Sequence, residues 1–364
     1  MKQGPLKNIR IVEIAGLGPT PFAAMALADM GAEVIRVQRP GNRHILGLEY
    51  DILNRGRSFV ELNLKSESDR QKAAELINHA DGLIEGMRPG VMERLGLGPQ
   101  EFEASNPHLV YGRMTGWGQV GPLAQTAGHD INYIALSGAL HAIGGADRPV
   151  PPLNLLGDFG GGGMYLAFGM VCALLEARNS GVGQVVDAAI VDGTAHLTSM
   201  IYSLHAEGFW QDRRQDNILD GAAPFYGVYE CSDGKFLSVG AIEPQFYAEL
   251  LSISGLPGQT LPAQLDKSGW TELRERLAKA FLGKSQTEWC AAFAGSDACV
   301  APVLTLAEAP DHPHHKARGV FTTVDGVSQP APAPRFSRTP GKITPASQSK
   351  AVAVSEVLAK WRKT

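Results

Sequence analysis

The sequence predicts an α/β fold: a large domain on a mostly parallel sheet, then a smaller α+β module. Three features of the chain carry that expectation. Residues 9–37 read as strand, glycine turn, helix and second strand, the order of a βαβ unit. Strand and helix patterns keep alternating to residue 188, which places helices on both faces of a sheet with parallel strands. From Pro224 the pattern changes to a hairpin followed by helices.

Taken in order, Ile9, Ile11 and Val12 open the first strand, and the turn Ala15-Gly16-Leu17-Gly18-Pro19 breaks it. Residues 22–30 carry apolar helical spacing until Gly31 stops them, and a strand at 33–37 follows. This unit resembles a dinucleotide-binding motif. Pro21 stands where the third glycine belongs, however, and Gln38 stands near the expected ribose carboxylate, which argues against NAD or FAD. Further strands are expected at 58–64, 82–85 and 109–114, with a helix at 68–80. Residues 116–163 are rich in glycine and proline and long enough to form a functional loop. A helix at 164–177, a strand at 184–188 and a helix at 193–205 come next. In the second unit, strands at 228–230 and 236–239 flank Ser232-Asp233-Gly234, a hairpin with Asp-Gly at its tip. Helices at 244–254, 270–281 and 286–294 complete it. The tail, 310–349, is proline-rich and expected to be extended, and a last helix covers 355–361. The expected domains are therefore a large one over 1–190, completed by 330–364, and a small one over 224–303. A linker helix at 191–223 and a return linker at 304–329 join them.

Composition limits the function. The 364 residues are 44% hydrophobic and 19% charged, which fits a globular chain and excludes a disordered, collagenous or coiled-coil one. A net charge of −4 gives no broad footprint for nucleic acid. Cys172, Cys231, Cys290 and Cys299 lie far apart, without zinc-site spacing, so a reduced, cytoplasmic protein without a metal is expected. The first residues lack an apolar secretory core. The longest apolar run, 164–175, is too short to cross a bilayer and is expected to be a buried helix.

Two constellations can do chemistry. Gly128-His129-Asp130 is followed by Gly157-Asp158 and four more glycines around Phe159. A carboxylate at the mouth of a glycine run entering an apolar helix lies where free backbone N–H groups stabilise negative charge. The glycines also let a substrate approach the backbone. Equally open is the reading in which Asp158 only caps the helix. His129 exchanges a proton near neutral pH, although a lone histidine also serves as a structural or surface group. Glu243 ends a strand just before a helix, where it either enters a cleft or merely starts the helix. Arg36, Arg39, Arg43, Lys65, Arg88 and Arg94 cluster near strand ends and are suited to phosphate, or to an ordinary solvated surface. His312, His314 and His315 have no carboxylate or cysteine at ligand spacing. No GxSxG, Walker A or HExxH motif is present.

The motifs Val12-Glu13-Ile14-Ala15-Gly16-Leu17-Gly18-Pro19, Leu27-Ala28-Asp29-Met30-Gly31-Ala32-Glu33-Val34, Arg88-Pro89-Gly90 and Thr115-Gly116-Trp117-Gly118-Gln119 are joined by Gly128-His129-Asp130-Ile131-Asn132-Tyr133. With Gly157-Asp158-Phe159-Gly160-Gly161-Gly162 and Ala241-Ile242-Glu243-Pro244, they resemble the family III CoA-transferase superfamily over nearly the whole chain, and within it the racemase branch. The resemblance implies an interlocked homodimer with a large Rossmann-like domain and a small domain. It implies inversion of the carbon α to the carbonyl in 2-methylacyl-CoA thioesters, without metal or redox cofactor, CoA being part of the substrate. His129, supported by Glu243 across subunits, would serve one face of that carbon and Asp158 the other. Arg39, Leu62, Asn63, Leu64, Lys65, Gly86, Met87, Arg88, Arg94, Gly128, Asp130, Ile131, Asn132 and Tyr133 match the CoA-thioester contacts.

Such a reaction needs donors for the enolate oxygen as well as a base, and the N–H groups beside Asp158 are expected to supply them. In the transferases of the same superfamily an aspartate at this position is the nucleophile, which makes a CoA-transferase the main alternative. A passive CoA-binding module is a third reading, disfavoured because both acid/base groups are present.

Overall fold

A computed structural model describes residues 3–42, 47–256, 261–344 and 348–362. In chain order the elements are β1 (Arg10–Ile14), α1 (Pro19–Asp29), β2 (Glu33–Gln38), β3 (Ser58–Glu61), α2 (Glu67–Asn78), β4 (Gly82–Glu85), α3 (Val91–Arg94) and β5 (Val110–Thr115). They continue with α4 (Asp130–Leu136), α5 (Ala139–Ala142), a π-helix (Leu155–Met164) that runs on into α6 (Tyr165–Ser180), β6 (Val185–Ala189), α7 (Ile190–Leu197) and α8 (Ser199–Ala206). After these come β7 (Tyr226–Glu230), β8 (Phe236–Gly240), α9 (Pro244–Ile253), α10 (Trp270–Phe281), α11 (Gln286–Ala292), β9 (Val300–Val303), α12 (Pro313–Arg318), β10 (Phe321–Val324), β11 (Val327–Pro330) and α13 (Val354–Trp361).

The chain divides into two compact units: residues 1–139, 152–198 and 319–364 in one, residues 140–151 and 199–318 in the other. Segment 140–151, assigned by its position in sequence to the large domain, thus groups with the second unit.

In the first unit six strands pair in the order β3-β2-β1-β4-β5-β6, every pair parallel. This is the Rossmann order, in which the direction of winding reverses between β1 and β4. Val12 pairs with Ile35 on one side and Leu83 on the other, so β1 is covered on both edges. Its side chains alternate between two cores, as a period of two requires. Ile11 joins a cluster with α1 and α6 residues such as Ala24, Leu27, Leu166 and Met170. Val12 and Ile14 join the other, with Leu76 and Ile77 of α2 and with Val357, Leu358 and Trp361 of α13.

Three sequence expectations change here. The glycine stretch before Met164 is helical, so a continuous helix runs over Leu155–Ser180, 26 residues, long and apolar enough by length and composition to cross a membrane. The expected helix of 164–177, and the apolar run of 164–175 within it, were too short because glycine runs read as loops. The helix expected over 193–205 is two helices, broken at Thr198, whose Oγ1 donates to the Ala195 carbonyl at 2.7 Å. The tail is not simply extended. It contains α12 and a hairpin, β10–β11, that turns on Asp325-Gly326, both with φ above +50°. The hairpin lies partly inside the segment expected to be a return linker.

In the second unit β7, β8 and β9 form an antiparallel sheet, and the Asp-Gly tip closes with Gly234 N–H on the Cys231 carbonyl at 3.0 Å. Phe225, Tyr229, Leu237, Leu250, Leu273, Leu277, Phe281 and Trp289 fill the core beneath α9, α10 and α11.

Candidate active site

Three loops leaving the carboxyl ends of β1, β4 and β5 meet at the reversal of winding, where open α/β sheets hold their ligands. With Gly128, His129, Tyr133, Asp158 and Ile190 they enclose a cavity of about 480 Å³, lined also by residues 17–20, 86–89 and 114–117.

Each loop is fixed from below. After β1, Gly18 takes φ +62° and ψ −112° at the start of α1, a conformation that glycine tolerates and side chains rarely do. A Cβ there would lie 3.1 Å from Asp158 Oδ2, so the turn and the carboxylate touch. After β4, the buried Glu85 accepts the Met87 N–H at 2.6 Å and Arg113 Nε at 3.1 Å, and Arg113 reaches on to Glu93 at 2.6 Å. Burial pushes the Glu85 carboxyl up, and the Met87 N–H and Arg113 oppose it. After β5, Trp117 packs edge-on against Tyr133 with centroids 4.7 Å apart. A Cβ at Gly116 would lie 2.0 Å from that tyrosine ring, and one at Gly128 2.8 Å. These motif glycines therefore make room for Tyr133, whose hydroxyl donates to the Gly128 carbonyl. Burial, and then the charge of Asp158, push the Tyr133 hydroxyl up, with Arg88 opposing.

Asp158 lies in the first turn of the π-helix. Asn154 is the N-cap residue there, not Asp158, so the reading of Asp158 as a cap falls. The expectation that free N–H groups beside Asp158 await an oxyanion also fails. The Asp158 N–H donates to Asp130 Oδ1 at 2.6 Å, and the Phe159 N–H to the Asn154 carbonyl at 3.2 Å. Nor do the glycines open the backbone to a ligand. Added Cβ atoms would lie 2.4 Å from Thr194 Oγ1 at Gly161, 2.9 Å from Ile190 Cγ1 at Gly162 and 2.7 Å from Phe22 Cδ1 at Gly163. Residues of α7 and α1 occupy that space. Burial is the largest cause raising the Asp158 carboxyl above the usual carboxylate range, Asp130 adds to it, and the Asn154 side chain and His129 act against it.

His129 is exposed and lines the cavity. It precedes α4 in an extended conformation, its N–H held by Asn132 Oδ1 at 3.0 Å. The cavity therefore brings together His129, Asp158, Gly86, Met87, Arg88, Gly128 and Tyr133 of the expected site. Others stand apart from it. Asp130 is 8% exposed and turned inward to the Asp158 N–H, and Leu62 is a core residue. Leu64 packs against the same core, and Asn63 Oδ1 accepts the Lys65 N–H at 3.2 Å. Arg39, Lys65, Arg94, Ile131 and Asn132 are exposed outside the cavity lining. Arg36 is not a free phosphate ligand, because it donates to Asn54 and, at 2.6 Å, to Gln38 Oε1. Arg43 lies outside the described residues. Glu243 belongs to the second unit and is exposed at the N-cap position of α9, where its side chain makes no cap bond. Among the described residues no group of three or more His, Cys, Asp or Glu is placed to hold a metal.

Sequence reasoning passed over Thr20 and Trp117, which line the cavity, and the role of Glu85 beneath it. Their signal was positional: each sits within a few residues of the carboxyl end of β1, β4 or β5.

Fold and site together define a Rossmann-like α/β enzyme with a carboxyl and an imidazole sharing one cavity. The chain belongs to the family described as CoA-transferase family III, whose model matches residues 6–347. It is 48% identical over 338 residues to an alpha-methylacyl-CoA racemase of Mus musculus, and 46% over 339 residues to one of Homo sapiens. Each match covers 92% of this chain and 87% of the relative. The crystal structure of a CAIB/BAIF family protein from Brucella suis shares the fold, with a TM-score of 0.82 at 23% identity, covering 100% of this chain and 99% of that one.

Proposed function

We propose that the chain interconverts the 2R and 2S epimers of 2-methylacyl-CoA thioesters by moving a proton off and onto the α carbon through a planar enolate. One juxtaposition carries the reading: His129 and Asp158 line the same cavity of about 480 Å³. The similarity to curated alpha-methylacyl-CoA racemases supports the same chemistry. A hydrogen α to a thioester is a far weaker acid than either side chain, so removal by a base must be coupled to stabilisation at oxygen. Inversion further asks for carriers on opposite faces of the enolate. His129 exchanges the proton on one face and Asp158 on the other, each acting as base in one direction and acid in the reverse.

The upward push on the Asp158 carboxyl suits the acid role, since a proton donor must hold its proton near working pH. On this reading Arg88, Arg39, Lys65 and Arg94 hold the CoA phosphates by charge-assisted bonds. Gly86, Met87, Gly128 and Tyr133, which line the cavity, shape the thioester path. Glu243 supports His129 from a second copy of the chain. CoA enters as part of the substrate, no metal or redox cofactor takes part, and the cytoplasm is the proposed location.

Pairing with a second copy is supported by Met164, Phe168, Val171 and Leu175, which follow one helical face. Phe168 is 69% and Leu175 62% exposed. Sedimentation velocity should give the mass of a dimer, and a monomer at micromolar concentration would exclude the pairing.

Incubating one epimer of a 2-methylacyl-CoA in deuterium oxide, with no acceptor acid added, should yield both epimers and deuterium at the α carbon. Acyl exchange only on addition of a free acid, with hydroxylamine capturing an activated Asp158 carboxyl (anhydride or CoA thioester) as the hydroxamate, would make the protein a transferase instead.

A further inference from the structure

Asp130 sits beside the cavity without lining it. It occupies the first position of α4, is 8% exposed, and its Oδ1 accepts the Asp158 N–H at 2.6 Å. Residue 157 is a glycine whose Cβ, if present, would lie 2.4 Å from that same Oδ1 and 2.8 Å from Ile134 Cγ2. The contact exists only because position 157 is bare. We propose that Asp130 is a positioning residue that acts on the reaction through Asp158, an inference resting on the reading of Asp158 as a proton carrier.

Two physical actions follow from the one contact. The first is geometric. A bond from an N–H to a carboxylate is strong, and this one fixes the peptide from which the Asp158 side chain departs. Because His129 immediately precedes Asp130, the start of α4 sets both carriers, the imidazole through the chain and the carboxyl through the amide bond. Small displacements of reacting groups cost large factors in rate. The second action is electrostatic. A carboxylate this close disfavours a second negative charge, and after burial it is the next cause pushing the Asp158 carboxyl up. Around Asp158 the other charged or titratable cavity groups are His129, Tyr133 and Arg88; the 17–20 turn and Ile190 of α7 bring none. Asp130 is thus the neighbouring anion, and it favours the proton-bearing form that donation to the enolate requires.

The substitution Asp130→Asn separates the two actions, since the amide oxygen still accepts the N–H while the charge is gone. With carboxyl-¹³C aspartate, and Asp158→Asn to assign the signal, the Asp158 titration midpoint should fall by roughly 0.5–1 pH unit in Asp130→Asn. The limb of the kcat profile governed by Asp158 should move the same way, to lower pH. Asp130→Ala, which also loses the acceptor, should lower kcat about 10- to 100-fold with little change in KM, and Asn at that position should recover most of the loss. If Asp130→Asn does not fold, Gly157→Ala tests the same contact by forcing the pair apart, and it too should lower the midpoint. An Asp158 midpoint unchanged in a folded variant overturns the inference. Should the wild-type protein fail to exchange the α proton, the racemase reading falls, while the carboxyl titration still decides whether Asp130 governs Asp158.

Discussion

Burial and the adjacent Asp130 both raise the Asp158 carboxyl, and the native state bears the cost. The native protein binds this proton more tightly than the unfolded chain does. Stability therefore declines as pH rises from the ordinary aspartate value to the raised one, and above that the loss is complete. Asp158→Asn removes the charge while keeping the volume. It should raise Tm at pH 7, with the gain vanishing below the ordinary aspartate range, and it should lower racemisation about 100-fold or more. Thermal melts at pH 3.5 and pH 7 check the first part. A variant less stable than wild type at pH 7 would mean that the carboxylate is stabilised where it lies. Aspartate 158 was legible as a site residue from its glycine-rich setting, but its environment was not. The Asp130 contact spans 28 positions of chain, and only the folded α4 brings the two together.

At the scale of elements, the glycine run is a packing device. A Cβ on Gly193 would lie 1.9 Å from the Gly161 carbonyl oxygen, so α7 and the π-helix meet backbone to backbone. Gly193→Ala cannot be relieved by a side-chain rotation and should cost about 3 kcal/mol or more, read as a lower midpoint in urea. Wild-type stability would show that the two helices have room to separate. The strands of the parallel sheet and the helices α10 and α11 were readable because apolar period and turn residues agreed there. The π-helix was not, since glycine's low helix propensity is overridden by the close approach of α1 and α7. The β10–β11 hairpin carried its Asp325-Gly326 signal, but in a proline-rich setting that reads as linker.

For the whole molecule, the first unit is closed by residues far apart in sequence. Arg55, 4% exposed, donates to Asp29 Oδ2 at 2.5 Å, to Gln329 Oε1 at 3.0 Å and to the Pro330 carbonyl at 2.6 Å, fastening β11 to α1. Burial raises the Asp29 carboxyl, and Arg55 offsets that. Removing the guanidinium strands a buried carboxylate, so Arg55→Ala should cost about 3–5 kcal/mol in urea unfolding; a loss under about 1 kcal/mol, the scale of an exposed pair, would mean that water reaches Asp29. No local pattern announced this junction, because its partners lie 26 and 274 residues from Arg55. The loops after β1, β4 and β5 of this unit line one cavity, which holds the two proposed proton carriers. The most direct test of that proposal follows α-proton exchange in deuterium oxide for each epimer separately, in His129→Ala and in Asp158→Asn. Each variant should still exchange the epimer whose proton faces the surviving group, opposite epimers in the two variants, without inverting it. Equal residual exchange of both epimers in both variants would contradict two opposed carriers.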